Sequence, residues 1–536
     1  MSLKIALVQT DSLIGNISAN FSQIVEIISK IKNTLAIDLI IFSELSATGY
    51  PPEDLLLRRD FIAKANNALF ELANIAPELG IIVGFPELSD GRLYNSAAVL
   101  SEGSISAIYR KQKLPNHGVF DENRYFIAGE KPCVFEFKGQ FFGLTICEDV
   151  WHEDIVKATK DAGAEILLTL NASPFHTGKR EKREALICLH AKLAQLPIVY
   201  VNAVGGQDEL VFDGASFVTN SDGKIVFQAK EFEEQIGVVE FENGQPLNTP
   251  CPVELRNETA TIYNALVCGT RDYVRKNSFK GAILGLSGGI DSALVLAIAV
   301  DALGAENVEA VSLPSKYTLD MSNDDAKIQA EIMNVKYHSI PIEPAVKAFT
   351  EMLAATFENT PADTTEENIQ ARCRGVVLMA MSNKQGKLLL TTGNKSEMSV
   401  GYATLYGDMC GGFAPIKDVP KLLVYELARY RNSISQVIPE RVLTRAPSAE
   451  LSPNQQDSDS LPLYEILDPI LARYIEQDQS AEEIITAGFS ESDVKRAISL
   501  VDRSEYKRRQ SAVGIKISER AFGRDRRYPI TSGFRG

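Results

Sequence analysis

The 536-residue chain lacks the features that mark membrane and secreted proteins. It contains no apolar run near the ~20 residues that a bilayer crossing needs. Its first residues, MSLKIALVQT, enter a strand-like run at once, without the layout of a signal peptide. We therefore expect no membrane segment and a cytoplasmic location.

Metal-binding and disulfide patterns are also missing, and the chain is acidic overall, although its tail, YKRRQSAVGIKISERAFGRDRRYP, is basic. The seven cysteines and five histidines form no CxxC or Cys/His spacing, so neither a zinc site nor a disulfide framework is expected. No GxSxG motif occurs, which argues against a Ser/His/Asp hydrolase. The formal charge of −15 argues against a nucleic-acid binder, which is usually basic.

The chain contains two stretches of alternating strands and helices, and it is too long for one hydrophobic core. In the first ~240 residues, amphipathic helical stretches separate short β-branched runs, as in layered α/β folds. A Pro/Asn/Gly-rich stretch then reads as a linker, and strand–helix alternation resumes as a doubly wound parallel sheet. The expected domains are 1–245 and 266–536, joined by linker 246–265. The first domain's strand candidates are IALVQT, LIIFSE, GIIVGF, NSAAVL, FFGLTI, ILLTLNA, PIVYVNA and IGVVEF.

The sharpest motif is GLSGGIDS at residues 285–292, which follows an apolar strand and opens an apolar helix. Ser287, Gly288 and Gly289 allow backbone N–H groups to turn inward at a helix N-terminus, an arrangement that binds phosphate. The motif is neither a Walker A loop nor a GxGxxG fingerprint. Asp291 beside a phosphate indicates a Mg²⁺ ligand, because this cation prefers oxygen donors. The alternative is an ordinary Gly/Ser turn.

This motif resembles the pyrophosphatase loop of enzymes that convert ATP to AMP and pyrophosphate. Six further motifs occur in the order found in NAD synthetases, and the resemblance covers nearly all of residues 250–536. They are TEENIQARCRG, LLLTTGNKSEMSVGYATLYGD, APIKDVPK, APSAEL, EYKRR and the terminal KISERAFGRDRRYPI. Leu405 replaces a lysine that precedes YGD in single-domain members, so we assign no contact there.

The resemblance implies three sets of contacts in the second half. The ATP set is Gly285, Leu286, Ser287, Gly288, Gly289, Ile290, Asp291, Ser292, Thr392, Lys421 and Ser448. The deamido-NAD set is Asn368, Glu397 and Lys507, and the Mg²⁺ ligands are Asp291 and Glu397. By residue type alone, Asn368 also suits a helix cap and Lys421 a solvated surface lysine.

Three polar residues end three predicted strands of the first half: Glu44, Lys111 and Cys147. Because such residues converge on one crevice of an α/β sheet, we expect them to share a pocket. A cysteine before a helix has a lowered pKa that favours thiolate, although a buried cysteine is more often a small hydrophobe. Together they can cleave an amide. The sulfur attacks the carbonyl, the carboxylate takes the proton and the ammonium stabilises the oxyanion.

These three segments resemble the nitrilase, or carbon–nitrogen hydrolase, superfamily over about residues 3–245, and the three residues fall on its catalytic positions. The resemblance implies a nitrilase-like α-β-β-α sandwich. For the second half it implies a Rossmann-like domain of the adenine nucleotide alpha hydrolase type. Lys113 is then the neighbour of the catalytic lysine. Glu122 is a further candidate near the thiol, or else a surface carboxylate.

Taken together, the halves resemble the glutamine-dependent NAD synthetase family. That resemblance implies glutamine contacts from His117, Ser173 and Lys179, with His117 standing where tyrosine is expected. It also implies L-glutamine, ATP and deamido-NAD as small-molecule substrates, an ammonia tunnel and a homo-oligomer. One alternative is an amidotransferase of the same ATP-pyrophosphatase class that acts on another carboxylate. A second is a nucleotide-sensing regulator with an inactive first half.

Overall fold

In the computed structural model, the described residues are 2–248, 257–453, 455–459 and 461–534. They form two compact units, residues 2–205 with 211–248, and residues 206–210 with 257–534. A helix begins at Glu258, inside the stretch 246–265 that was expected to be a linker. Residues 249–256 of that stretch, which include Cys251, lie outside the described parts of the chain.

Strands dominate the chain up to residue 246. They are β1 (Ser2–Gln9), β2 (Leu39–Ile41), β3 (Gly80–Ser89), β4 (Arg92–Ser101), β5 (Ser104–Arg110), β6 (Cys133–Phe137), β7 (Gln140–Ile146), β8 (Ile166–Asn171), β9 (Ile198–Asn202), β10 (Val204–Gln207), β11 (Leu210–Asp213), β12 (Phe217–Thr219), β13 (Ile225–Gln228), β14 (Gln235–Glu242) and β15 (Gln245–Pro246). The helices are α1 (Ile17–Thr34), α2 (Arg59–Ala73), α3 (Glu153–Asp161) and α4 (Lys179–Ala194). Short 3₁₀-helices cover Glu53–Leu57, Glu122–Arg124 and Cys147–Trp151.

The first unit is a sandwich of two sheets, with strand orders β15-β14-β1-β2-β3-β4-β5 and β13-β12-β9-β8-β7-β6. Because side chains alternate along a strand, each sheet has one face for its partner and one for helices. On β1, Leu3, Ile5 and Leu7 enter the core between the sheets, whereas Ala6 and Val8 pack with α1 and α2. The outer face of the second sheet packs on α3 and α4. The predicted α-β-β-α sandwich is confirmed.

The second unit is built on one parallel sheet of order β18-β17-β16-β19-β20-β21. Its strands are β16 (Ala282–Gly285), β17 (Val308–Ser312), β18 (Lys336–Ser339), β19 (Leu388–Leu390), β20 (Phe413–Ala414) and β21 (Val513–Gly514). The strand order reverses between β16 and β19, the position at which open α/β sheets bind ligands at their carboxyl ends. The predicted doubly wound sheet is confirmed.

Twelve α-helices are found among the described residues of this unit. They are α5 (Glu258–Lys276), α6 (Ile290–Leu303), α7 (Asp320–Ile332), α8 (Glu343–Leu353), α9 (Thr364–Gln385), α10 (Lys395–Val400), α11 (Lys421–Ile434), α12 (Glu440–Thr444), α13 (Tyr464–Leu471), α14 (Ala481–Thr486), α15 (Glu491–Arg503) and α16 (Glu505–Arg508). Helix α6 is apolar on nearly every side because it packs in the core against α5 and α11. Across the described ranges, no helix is long and apolar enough to span a bilayer.

Candidate functional site

Cys147 lies directly after β7, at the first position of a short 3₁₀-helix. Its φ of 46° is a left-handed value that is costly for a residue other than glycine, and such strain is common at functional sites. The side chain is 4% exposed. Burial and the negative charge of Glu44 raise the pKa of the Cys147 thiol well above its usual range, against the opposing charge of Lys111. The expected lowering of this pKa is therefore wrong, since one short helical turn does not offset burial beside carboxylates.

Glu44 follows β2 and is almost fully buried. Its Oε1 accepts hydrogen bonds from Lys111 Nζ and Asn95 Nδ2, both at 2.8 Å. Its Oε2 accepts from the backbone N–H of Ala172, just after β8, at 2.9 Å. Donors from both sheets thus hold the carboxylate, which compensates for its burial.

Lys111 follows β5 and is 1% exposed. Its Nζ donates to Glu44 Oε1 and to Glu122 Oε1, both at 2.8 Å. Burial alone would lower the pKa of Lys111, but the charges of Glu122 and Glu44 outweigh it and raise that pKa well above its usual range. The side chain is therefore a buried ammonium held between two carboxylates.

Glu122 belongs to this cluster and is not a surface carboxylate, since it is 4% exposed. Tyr50 Oη donates to its Oε1 at 2.8 Å. Burial raises the pKa of Glu122 to about 7, with Lys111 opposing the shift and Glu44 adding to it. The cluster therefore contains a group that titrates near neutral pH.

Two of the expected glutamine contacts lie near parts of the chain that carry this cluster. Ser173 is buried and directly follows Ala172, the residue whose N–H binds Glu44. Lys179 opens α4, and its Nζ lies 4.5 Å from the ring centroid of Trp151, the last residue of the turn that Cys147 begins.

His117 is exposed, in the loop between Lys111 and Glu122. Its ring packs edge-on against Phe120, with 5.8 Å between the ring centroids. The loop folds back on itself through the hydrogen bond from Phe120 N to His117 O.

Residues 285–292 join β16 to α6 at the switch point of the parallel sheet. Gly288 has a φ of +79°, and a Cβ there would lie 2.2 Å from the carbonyl oxygen of Ser322, so only glycine fits. Ser292 Oγ accepts from the N–H of Ser287 at 3.2 Å, and Ser287 Oγ accepts from the N–H of Gly289 at 3.2 Å. The loop is thus braced at a helix N-terminus, the geometry that binds phosphate.

This loop opens on a cavity of about 290 Å³. The lining includes most of the expected ATP contacts and one expected deamido-NAD contact, namely Gly285, Leu286, Ser287, Gly289, Ile290, Asp291, Ser292, Thr392, Glu397, Lys421 and Ser448. Among the described residues, Asn368 and Lys507 are not part of this lining. Ser448 is exposed, and its Oγ donates to the carbonyl of Gln455.

Lys421 lines this cavity, is 2% exposed and is not a solvated surface lysine. Its Nζ donates to Asp291 Oδ2 at 2.5 Å and to Glu397 Oε1 at 3.0 Å. Burial raises the pKa of Glu397 to about 7, with Lys421 opposing the shift and Asp291 adding to it. The structure therefore brings two carboxylates together, and the positive charge of Lys421 offsets their mutual repulsion.

Asn368 and Lys507 each form hydrogen bonds to the same short segment, which follows α10. Asn368 Oδ1 accepts from Thr404 Oγ1 at 2.8 Å. Lys507 Nζ donates to the carbonyls of Gly401 and Ala403, at 2.7 and 2.8 Å. These two expected deamido-NAD contacts therefore share a location at residues 401–404.

Several contributors to these sites were not expected from the sequence. Asn95 and Tyr50 bind the carboxylates of the first cluster. In the second site, Asn394 Nδ2 donates to Asp291 Oδ1 at 2.8 Å, while Asn394 also caps α10. The N-cap pattern N-x-x-E in LTTGNKSE is a signal that could have found Asn394. Asn95 gives no comparable signal, because β4 (RLYNSAAVLS) contains other polar residues.

Comparisons with known proteins match both units. Residues 4–245 match the carbon-nitrogen hydrolase family, and residues 262–511 match the NAD synthase family. The chain is 51% identical, over 100% of its length and 99% of the relative's, to a glutamine-dependent NAD(+) synthetase from Acinetobacter baylyi. This chain belongs to the glutamine-dependent NAD(+) synthetase family. An Aquifex aeolicus member is 43% identical over 99% of this chain and 100% of its own length.

A solved structure supports this family membership. The glutamine-dependent NAD+ synthetase from Acinetobacter baumannii, in complex with ADP, matches with a TM-score of 0.81 and 48% identity, covering 99% of this chain and 98% of that one. The chain is therefore a ligase that uses an amide donor, and its NAD synthase family takes ATP as a substrate. An amidotransferase for another carboxylate is not favoured by these relatives.

Proposed function

We propose that the first unit hydrolyses L-glutamine to glutamate and ammonia at Cys147. The thiol is protonated at rest, so Glu44 takes its proton as sulfur attacks the amide carbon. The Lys111 ammonium stabilises the tetrahedral oxyanion. Glu44 then gives its proton to the amide nitrogen as the C–N bond breaks and ammonia leaves, and the regenerated carboxylate deprotonates the water that opens the thioester. The observation that carries this proposal is the buried pair Glu44–Lys111, whose charges both act on the Cys147 thiol.

Glutamine is proposed to be held by His117, Ser173 and Lys179. Lys179 supplies a cation for the substrate carboxylate, and Ser173 supplies polar groups beside Glu44. Glu122 places a second negative charge beside the Lys111 side chain and thereby stabilises its ammonium form. An exposed imidazole at His117 suits the entrance to such a pocket better than its interior.

The second unit is proposed to amidate deamido-NAD. ATP binds at residues 285–292 with Thr392, Lys421 and Ser448, and deamido-NAD binds near Asn368, Glu397 and Lys507. The nicotinate carboxylate attacks the α-phosphate of ATP, pyrophosphate leaves, and ammonia displaces AMP from the adenylate to give NAD. The backbone N–H groups at the start of α6 and the Lys421 ammonium balance the phosphate charge.

Asp291 and Glu397 would hold Mg²⁺. Their carboxylate oxygens suit this hard cation, which in phosphate sites is bound by one or two carboxylates plus phosphate oxygens and water. Among the described residues no group of three or more His, Cys, Asp and Glu side chains is arranged to hold a metal, which fits a cation completed by ATP. When bound, Mg²⁺ would neutralise the pyrophosphate charge.

We further propose domain limits of 1–245 and 266–536, a homo-oligomeric assembly and a cytoplasmic location. The two compact units and the two family matches support the domain limits. The cysteines in the described ranges are free thiols, which fits a reducing compartment. The assembly rests on the family resemblance.

The test is a product balance. The purified protein is incubated with L-glutamine, ATP, Mg²⁺ and deamido-NAD, and glutamate, NAD, AMP and pyrophosphate are measured. NAD, AMP and pyrophosphate should form in equal amounts, and a chelator should stop all three. Glutamate formation without NAD, under conditions in which another carboxylate is amidated, would contradict the assigned substrate.

A further inference from the structure

Lys111 and Cys147 reach the first cluster from different sheets. Lys111 follows β5, an edge strand of the seven-stranded sheet, whereas Cys147 follows β7 of the six-stranded sheet. Between the sheets lies an apolar core, whose attraction is non-directional. The relative position of the ammonium and the sulfur therefore needs a directional link between the sheets at this end.

The Asp149 carboxylate makes such a link. Its Oδ1 accepts from the backbone N–H groups of Gln112 and Lys113, at 3.0 and 2.8 Å. Its Oδ2 accepts from Tyr109 Oη at 2.8 Å and from the N–H of Ile146 at 3.1 Å. The side chain is completely buried, and Tyr109 is itself anchored in the core between the sheets.

The partners of Asp149 flank both catalytic positions. Tyr109, Gln112 and Lys113 surround Lys111 in the chain, and Ile146 directly precedes Cys147. All four partners are donors, so the side chain must accept at both oxygens, which a carboxylate does and an amide does not. We propose that Asp149 is the positioning residue that sets the distance between the Lys111 ammonium and the Cys147 sulfur. This inference rests on the proposed glutaminase function.

The test compares Asp149→Asn with the matched control Asp154→Asn. Asp154 lies on the next helix, is largely exposed and pairs with Lys113 Nζ. For Asp149→Asn, kcat for glutamine hydrolysis should fall on the order of 100-fold, as for a misplaced catalytic group, with KM changed less than about threefold. NAD synthesis from added ammonium, the internal reference, should be unchanged. The control should match the parent in every assay.

If Asp149 had a merely structural role, Asp149→Asn would lower the melting temperature without the large fall in kcat at nearly constant KM. An Asp149→Asn variant whose kcat stays within twofold of the parent would overturn the proposal. If that variant does not fold, Tyr109→Phe replaces it, because it removes one donor and keeps the carboxylate. We expect about a fivefold lower kcat from the loss of one hydrogen bond, and a parental kcat would overturn the proposal.

The two hypotheses fail in different ways. If the glutaminase assignment is wrong, the unaltered protein releases no glutamate from glutamine. If only the role of Asp149 is wrong, the unaltered protein and Asp149→Asn release glutamate at similar rates.

Discussion

Replacing Glu44 with glutamine keeps the side-chain shape and exchanges one acceptor oxygen for an NH₂ group. Oε1 faces two donors, Lys111 Nζ and Asn95 Nδ2, and Oε2 faces only the Ala172 N–H. The least costly orientation therefore turns the NH₂ group toward Ala172. In this orientation the variant loses the charge-assisted hydrogen bond from the Ala172 N–H, which lowers the free energy of unfolding by about 1.5–3 kcal/mol. Lys111 still keeps its ion pair with Glu122, so the variant should fold.

The catalytic effect should be larger than this loss of stability. A positioned general base contributes roughly 10²–10⁴-fold, and the protonated Cys147 thiol depends on one. We expect kcat for glutamine hydrolysis to fall about 10³-fold in Glu44→Gln, or about 4 kcal/mol of barrier. Glutamate release measures this effect, and ammonium-driven NAD formation in the same preparation reports on the second unit.

The control is Glu136→Gln, an exposed residue of β6. It should leave glutamate release and ammonium-driven synthesis unchanged. Glutamate release by Glu44→Gln within tenfold of the parent protein would refute the assignment of Glu44 as the base, since the amide cannot take a proton from the thiol.

Two further predictions concern Glu122 and Lys421. Below pH ~7 Glu122 carries a proton and Lys111 loses one anionic partner, so kcat/KM for glutamine should fall as the pH drops through about 7. This inflection should be absent from the pH profile of Glu122→Gln, and its persistence there would contradict the assignment. Lys421→Met leaves Asp291 and Glu397 without their ammonium, so NAD formation from either nitrogen source should fall on the order of 100-fold, with glutamate release retained. Lys347→Met, at an exposed lysine, is its control, and equal rates in the two variants would contradict a role for Lys421.

Most strands predicted from the sequence have apolar runs that are buried on both faces, such as β2, β3 and β8. The edge strand β6 and the short strands β10, β11, β12, β13 and β15 were missed, and β5 was located only through its end at Lys111. In β5 (SISAIYR), exposed and half-buried residues alternate, and the polar residues hide its apolar face. In the second unit, β20 and β21 are two residues each, too short to give a periodic signal.

Some residues of the candidate sites were likewise identified from the sequence, and others were not. Strand-end positions identified Glu44, Lys111 and Cys147 because the sheet topology brings such ends together. The sequence could not identify Asn95 or the role of Asp149, because their partners are long-range contacts set by packing. The pKa of Cys147 was predicted in the wrong direction, since local helix position is visible in a sequence and burial beside carboxylates is not.

The central claim is that sulfur chemistry in the first unit supplies the nitrogen that the second unit adds to deamido-NAD. Its most direct test is Cys147→Ala, with NAD formation measured from glutamine and from an ammonium salt. We predict that synthesis from glutamine is lost while synthesis from ammonium continues at the parental rate. Continued synthesis from glutamine in this variant would contradict the account.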